Sequence, residues 1–535
     1  MNYYLGIDVG TGSARVGLFS SKGKMIISKK ENITLWSYEG IYKEQSSEEI
    51  WEKICKMTSK VVKESKINKK DIKGIGFDAT CSLVAIDKNG DPVSLSKSNN
   101  KNQNIILWMD HRAEEQANRI NKTKAEALKY IGGKISLEME IPKILWLKEN
   151  MKENYDKITD FFDLPDFLVY KACGEKVRSV CSLGCKWTYL AHEKKWDDNL
   201  FKKIGLSELL KNNSSKIGKI IKPIGSIAGK LTKEQAKKMG LVEGIDIGIS
   251  MIDAHAGGLG VLGINLDSKK DLNNRIALIS GTSNCHMAVS EKDIFVPGIW
   301  GPYYDAMLPD MWLLEGGQST AGALIDHVIK NHGAYIDLVK DSKEKKIDRY
   351  INLNNILDSM KINEIDYLTK DIHTLPYFLG NRSPIADPTL MGVMTGLTMD
   401  ISVRNLALQY YSTLQAIAYG TKHIIDELNK TTFEINEIYI TGGGTKNPLL
   451  LQAYANITGC KVIMAKEEES VLLGASILGA VAGGEYKDIF QAIKNMTQVG
   501  KIIEPNFKTK KFHNKKYLVF KEIYSDYKKY ENMMK

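Results

Sequence analysis

Short apolar runs broken by polar turns alternate along this chain with stretches in which apolar residues recur every three or four positions. The first block, YYLGIDVGTGSARVGLFSSKGKMII, predicts two strands joined by a tight Gly/Thr/Ser turn and a third strand after the turn at Lys22 and Gly23. From Ser47 to Glu64 the side chains of Ile50, Ile54, Met57 and Val61 fall on one helical face, and Ser46 stands at capping-box spacing from Glu49. The run IKGIGFD predicts the next strand, which ends in a polar knot at Thr80, Cys81 and Ser82 before the apolar pattern resumes at Leu83. Three small hydrogen-bonding side chains fill a core poorly, so packing alone does not account for them.

The same order recurs roughly half the chain later. NRIALISGTSNCHMAVS predicts strand, Gly-Thr-Ser turn and strand; Ser402 to Asn429 has a long helical period; NEIYITGGG is a strand ending in glycines. A unit of this size used twice indicates a duplicated α/β domain rather than a short solenoid repeat. The polar stretch from Gly263 to Asn274 sets the expected boundary, giving one domain over 1–268 and another over 269–535. Two such domains with polar turns at corresponding strand ends enclose a cleft, where small ligands bind and hinge closure excludes water.

A chain of 535 residues has room for two cores. MNYYLGIDVG enters a strand pattern directly, without the basic head and apolar middle of a secretion signal. The longest apolar run, VLLGASILGAVAGG from Val471, is too short and glycine-rich to span a bilayer. These features, with no regular cysteine framework among seven cysteines, lead us to expect a cytoplasmic protein with reduced thiols. Cys181 and Cys185 lack a second ligand pair for zinc. The formal charge of +10 comes from lysines spread over the whole chain, which we read as solvated faces with KTKKFHNKK in an exposed tail. Without aromatic-interleaved basic motifs, nucleic acid is not an expected partner, and neither is a membrane. The positive field still favours an anionic substrate or nucleotide.

The turns carry the chemistry. DVGTGSAR, Asp8 to Arg15, and SGTSN, Ser280 to Asn284, bend the backbone so that amides converge, with hydroxyls of Thr and Ser as further donors to a phosphate. Asp8, at a strand end, suits a magnesium ion beside bound phosphates, and it equally suits an Asx turn. ITGGGTKNPLL, from Ile440, lets a flat ring or sugar-phosphate approach the backbone before a helix near Pro448. In GISMIDAHAGGLG an apolar strand delivers Asp253 to the start of a helix, where a carboxylate accepts the proton of a hydroxyl attacking phosphorus, or caps the helix. His255 reads as a packed or hydrogen-bonding histidine. A Walker loop is absent, since Lys134 and Lys230 are followed by Ile135 and Leu231. GLGVLG from Gly258 lacks the acidic residue a dinucleotide ribose requires, so its glycines read as close helix packing.

Taken together, GIDVGTGSAR, IDAHAG, ISGTSN and YITGGGTKNPLLLQAYANITG resemble the FGGY carbohydrate kinases over essentially the whole chain and in the family's order. EIPKILWLKEN, Glu140 to Asn150, is similar to the first family signature; GVMTGLTMDISVRNLALQ begins like the second but carries Gln409 where a small residue is usual. The resemblance implies two actin-like domains of the ribonuclease H type, the first binding sugar and the second ATP. It implies Asp253 as catalytic base, Asp8 as organiser of Mg²⁺, and phosphate-binding turns at Gly10, Thr11, Gly12, Ser13 and Arg15 and at Gly281, Thr282 and Ser283. Gly442, Gly443, Gly444 and Asn447 would border the adenosine.

TCSLV, Thr80 to Val84, is similar to the signature of the D-ribulokinase branch, which makes Thr80, Cys81 and Ser82 the floor of a sugar pocket. By the same resemblance Trp108 forms an apolar wall, Asp110 and Arg112 bind hydroxyls, and Lys186 and Glu315 contact the sugar. The lesser alternative for Arg112 and Lys186 is an ordinary surface cation. The expected activity is phosphorylation of a pentulose terminal hydroxyl, D-ribulose first, with L-ribulose, D-xylulose or ribitol as alternatives. Outside that class stand an actin- or chaperone-like ATPase and a sugar sensor without turnover. A homodimer is one option for the assembly.

Overall fold

The alternating runs pair as their period predicts. β1 (Tyr3–Val9) and β2 (Ser13–Ser20) form an antiparallel hairpin, and β3 (Met25–Asn32) extends it on the β2 side. α1 (Ser47–Ser65) follows, with the Ser46 hydroxyl accepting the Glu49 amide at 3.2 Å and Ile50, Ile54, Met57 and Val61 buried. β4 (Ile72–Ala79) then lies parallel to β1 on its other edge.

The chain continues through β5 (Leu83–Ile86), α2 (Glu140–Asn150), β6 (Asp160–Asp163), α3 (Leu164–Cys173) and α4 (Val180–Lys186). β7 (Ile227–Lys230), β8 (Asp246–Gly248), β9 (Met251–Ile252) and α5 (Asp253–Leu262) end the first half. The first sheet has the order β7-β8-β4-β1-β2-β3, with β9 also on β4. β5 and β6 belong to a separate five-stranded sheet that stands beside it.

The second half begins after the short 3₁₀ turn Lys269–Asn274. It comprises β10 (Arg275–Ser280), β11 (Asn284–Ser290), β12 (Trp300–Tyr304), β13 (Trp312–Gln318), α6 (Val403–Leu428) and β14 (Glu437–Thr441). α7 (Pro448–Thr458), β15 (Lys461–Ala465), α8 (Ser470–Ala482), β16 (Val499–Ile503) and α9 (Lys510–Met533) complete it. Its sheet runs β12-β13-β11-β10-β14-β15-β16, antiparallel from β13 to β10 and parallel through β14 and β15. Three antiparallel strands followed by parallel ones is the arrangement of β3, β2, β1, β4 and β8, so the duplicated pattern is a duplicated topology. The computed structural model describes residues 1–535 and is thus an α/β protein with two actin-like (ribonuclease H-like) halves.

Two features depart from a simple linear division. α8, near the end of the chain, lies on the first sheet: a Cβ on Gly76 would meet the Ala475 carbonyl oxygen at 1.9 Å, and one on Gly474 would meet that of Ala256 in α5 at 1.9 Å. Glycine is required wherever backbone approaches backbone this closely. α5 and α8 thereby cross between the halves, and the Gly260 of GLGVLG packs against Ser470, as its helix-packing reading expects. The other departure corrects the exposed-tail reading of KTKKFHNKK. That segment begins α9, where His513 and Lys516 are buried: His513 meets Asp366 at 2.9 Å, and Lys516 Nζ donates to the carbonyls of Thr369 and Ile372 at 2.6 and 2.8 Å. Their positions follow the buried helical face with Tyr517 and Phe520, which charge counting does not register. No helix is long and apolar enough to cross a membrane.

Candidate active site

Three neighbouring strand ends bring three carboxylates together. Asp8 and Asp78 are register partners in the parallel pair β1 and β4, and β9, alongside Asp78 and Ala79, leads directly into Asp253 at the start of α5. Asp8 and Asp78 are buried; Asp8 Oδ1 and both oxygens of Asp78 have no protein partner. Arg15 Nε donates to Asp8 Oδ2 at 2.5 Å, and its Nη1 donates to Glu469 Oε2 at 2.6 Å, joining β2 to the start of α8. Burial opposes the charge of Arg15, but Asp8 and Glu469 outweigh it and hold its pKa above the ordinary value. Burial, and then the charge of Asp8, push the Asp78 carboxyl well up and that of Asp253 up to about 6. Asp253 Oδ1 accepts the Ala254 amide at 2.7 Å. A carboxyl poised in this range takes up and releases a proton near neutral pH.

Each of the two Gly-Thr/Ser turns closes on a glycine amide, across four residues in the first and three in the second. The Gly10 amide donates to the Ser13 carbonyl at 3.0 Å, and the Gly281 amide donates to that of Ser283 at 2.9 Å. Gly12 and Thr282 are exposed, with Thr11 and Ser13 half-buried. Between β14 and α7, Gly442 adopts a φ of +94° and a side chain on Gly444 would strike the Ser280 hydroxyl, whereas nothing lies within 4 Å of a Cβ on Gly443. Asn447 caps α7, accepting the Leu449 amide at 3.2 Å, and its Nδ2 donates to the Tyr410 hydroxyl at 2.7 Å. The glycine turn therefore opens at Gly443 while its flanks are fixed.

On the other side of the carboxylates lies the polar knot. The Thr80 amide donates to the Val9 carbonyl at 2.9 Å, the Thr80 and Ser82 hydroxyls are 3.3 Å apart, and the Ser82 amide donates to Asp163 Oδ1 at 3.2 Å. Cys81 is buried beside Lys186, and burial raises its thiol pKa well above the ordinary value. Trp108 Nε1 donates to the Thr11 hydroxyl at 3.1 Å, connecting the expected sugar wall to the first phosphate turn. Lys186 is buried, contrary to its surface-cation reading, and its ammonium lies 5.3 Å from the centre of the Trp300 ring. Burial disfavours its charge, but Cys81, Glu315, Tyr303 and Glu138 raise its pKa well above the ordinary value. Glu315 accepts from or faces His255 at 3.5 Å, whose other ring nitrogen is 3.1 Å from Cys181 Sγ. Against burial, His255 and Lys186 bring the Glu315 carboxyl down to about 2.

Asp110 and Arg112 are not brought to this surface. Arg112 Nε and Nη2 donate to Asp110 at 2.8 and 2.7 Å, Nη2 also donates to Glu44 at 2.7 Å, and Nη1 donates to the Leu95 carbonyl at 2.8 Å. Asp110 additionally accepts the Lys43 amide at 2.7 Å, and both ion-pair partners of Arg112 are fully buried with it. Their hydrogen-bonding groups are taken up internally, which assigns them to support of the loop behind Trp108 rather than to a hydroxyl. Sequence reasoning passed over Asp78, beside Asp8, Glu469, which Arg15 engages, and Trp300, whose ring lies against Lys186. Asp78 alone left a trace, as the acidic residue closing IKGIGFD one strand away from Asp8.

A carboxylate at a strand end, two glycine-rich hairpin turns and buried polar side chains drawn from duplicated ribonuclease H-like halves are the parts a carbohydrate kinase requires, and the family matches show that class. Residues 3–260 match the N-terminal domain and residues 276–483 the C-terminal domain of the FGGY family of carbohydrate kinases. The chain belongs to that family. It is 47% identical over 542 residues to an FGGY carbohydrate kinase domain-containing protein of Xenopus laevis, covering 99% of this chain and 98% of that one. It is 37% identical over 516 residues to the D-ribulokinase of Saccharomyces cerevisiae, covering 90% of this chain and 72% of the relative. In fold it is similar to a xylulose kinase of Lactobacillus acidophilus, with a TM-score of 0.81 at 19% identity over 98% of each chain.

Proposed function

We propose that this kinase transfers the γ-phosphoryl group of ATP to the terminal hydroxyl of a pentulose, converting D-ribulose to D-ribulose 5-phosphate. The observation that carries the proposal is Asp253: a carboxylate with its pKa raised to about 6 by burial and the charge of Asp8, delivered by β9 to the first position of α5. Asp253 takes the hydroxyl proton as the hydroxyl oxygen attacks phosphorus. Lys186 and Glu315 orient the sugar, while the small side chains of the knot leave room for an open-chain ketose. The amides and hydroxyls at Gly10–Ser13 and Gly281–Ser283 bind the phosphates, and the opening at Gly443 receives the adenosine.

Three orphaned buried carboxylate oxygens on Asp8 and Asp78 fit a hard divalent cation such as Mg²⁺. No group of three or more His, Cys, Asp or Glu side chains encloses a metal, so phosphate oxygens and waters would complete its shell. Bound there, Mg²⁺ supplies neutralisation of phosphate charge. The kinship with the yeast D-ribulokinase supports D-ribulose over its isomers. The seven unpaired cysteines suit a reducing compartment, and we place the activity in the cytoplasm.

ADP release with ATP and Mg²⁺ tests the reading on a panel of D-ribulose, L-ribulose, D-xylulose, ribitol and glycerol at equal concentrations. D-ribulose is expected to give the highest kcat/KM. A preference for another acceptor removes the substrate choice, and ATP hydrolysis indifferent to acceptor removes the sugar-phosphorylation reading.

A further inference from the structure

Alternate residues of a strand share one face. On β13 this places Glu315 beside Gly317, and across the sheet Trp300 pairs with Glu315 and Cys285 with Gly317. The face has a gap where Gly317 carries no side chain, and Arg382 fills it: a Cβ on Gly317 would stand 2.4 Å from Arg382 Cδ. Arg382 arrives on a stapled loop of the C-terminal half. Asn381 and Asp387 exchange two backbone hydrogen bonds of 2.9 Å each, and Asn381 Oδ1 accepts the Ile385 amide at 2.9 Å. The guanidinium is thus held in place before any ligand arrives.

Its surroundings come from both halves. Arg382 Nη2 donates to Glu138 Oε1 of the N-terminal half at 3.2 Å, and its guanidinium carbon lies 5.4 Å from the centre of the Trp300 ring that Lys186 approaches at 5.3 Å. The side chain is 15% exposed, yet protein acceptors match one of its five N–H donors. The unmatched donors are not sealed within protein, so they stay open to an acceptor that the protein does not supply. Lys186, Arg382 and the raised-pKa His255 stand against Glu315, Glu138 and Asp253, so no cation is in excess. A pocket of this kind suits a neutral polyhydroxy acceptor; a sugar acid would add an unpaired anion.

We propose that Arg382 is a sugar-binding residue supplied by the C-terminal half, donating to a hydroxyl of a neutral acceptor while Glu138 anchors it across the cleft. This rests on the pocket assignment made above. The pocket is complete only with the halves together, because Lys186, Cys81 and Glu138 come from one and Glu315, Trp300 and Arg382 from the other.

The test uses the full chain and whichever panel acceptor the parent protein phosphorylates best, with D-ribonate added as the sugar acid. Arg382→Gln is expected to raise KM for the acceptor about tenfold or more with KM for ATP within about twofold of the parent, and to abolish the acceptor-induced rise in melting temperature. Arg382→Lys, which keeps the charge, is expected to recover part of the affinity. An acceptor KM within about twofold of the parent in either variant overturns the proposal, as does a parent preference for D-ribonate. Should Arg382→Gln fail to fold, Arg382→Lys decides by the same threshold. Phosphorylation of an acceptor other than D-ribulose removes the substrate choice and leaves Arg382 to be judged on that acceptor; an unchanged KM removes Arg382 and leaves the kinase reading intact. A parent without acceptor-dependent turnover removes both.

Discussion

At the scale of residues, the site depends on a carboxylate kept in an unfavourable place. Asp253 titrates near pH 6 against an ordinary value of 3.8, because burial and the charge of Asp8 disfavour its ionised form. For the enzyme free of ligands this predicts that kcat/KM falls as pH drops below about 6, where the base becomes protonated. Asp253→Asn is expected to cut turnover by about 10²–10⁴-fold while leaving KM for ATP near the parent value, read from initial rates. The same substitution has a stability signature. The folded chain binds this proton more tightly than the unfolded one, so the destabilisation from the charge is full above pH 6 and fades as pH falls toward 4. Asp253→Asn should therefore melt about 1–3 °C above the parent at pH 8, with the difference shrinking at pH 5. Asp8 and Asp253 were legible in the sequence because each follows an apolar run and precedes a glycine-rich turn or helix. Asp78 was not, because its unpartnered oxygens exist only once β1 and β4 are in register. Arg112 misled for a related reason: the resemblance of LWMDHRA offers it as a ligand group until Glu44, distant in sequence, is seen to pair with it.

Elements are held together here by glycines that do different work. Gly76 allows α8 to rest on the first sheet, and a side chain there would meet backbone that has no room to move. Gly76→Val is expected to destabilise the fold by several kcal/mol, on the order of the larger overpacking penalties, seen as loss of soluble protein or a much lower melting temperature. Gly443 borders open space, so Gly443→Ala should melt like the parent and act only on the nucleotide, raising KM for ATP about threefold or more. Hairpins, α1 with its Ser46 cap, α6 and α7 could all be read from period and capping residues. The crossing of α8 to the first sheet could not. An apolar, glycine-rich helix fits any tight layer, and which layer it joins is a long-range property of the chain. The burial of α9 escaped notice because lysines with apolar stems conceal a face formed by His513, Lys516, Tyr517 and Phe520.

The whole molecule is two halves joined in more than one place. α5 and α8 pack closely together, and Tyr130 and His192 of the first half gather with Phe295 and Trp312 of the second. Glu138 with Arg382 adds an ionic tie between the halves, and Arg15 with Glu469 fastens the start of α8 to the first sheet. Hinge closure in such an arrangement excludes water from the phosphoryl group and leaves the sugar hydroxyl as acceptor. The measurement that tests this most directly is the position of phosphate in the product formed from D-ribulose, ATP and Mg²⁺, read by phosphorus–carbon coupling in NMR. The expected result is one product, with phosphorus coupled to C5 of ribulose and one ADP formed for each sugar consumed. Inorganic phosphate as the main product, or phosphorus on any other ribulose carbon, would contradict the placement of the terminal hydroxyl against Asp253.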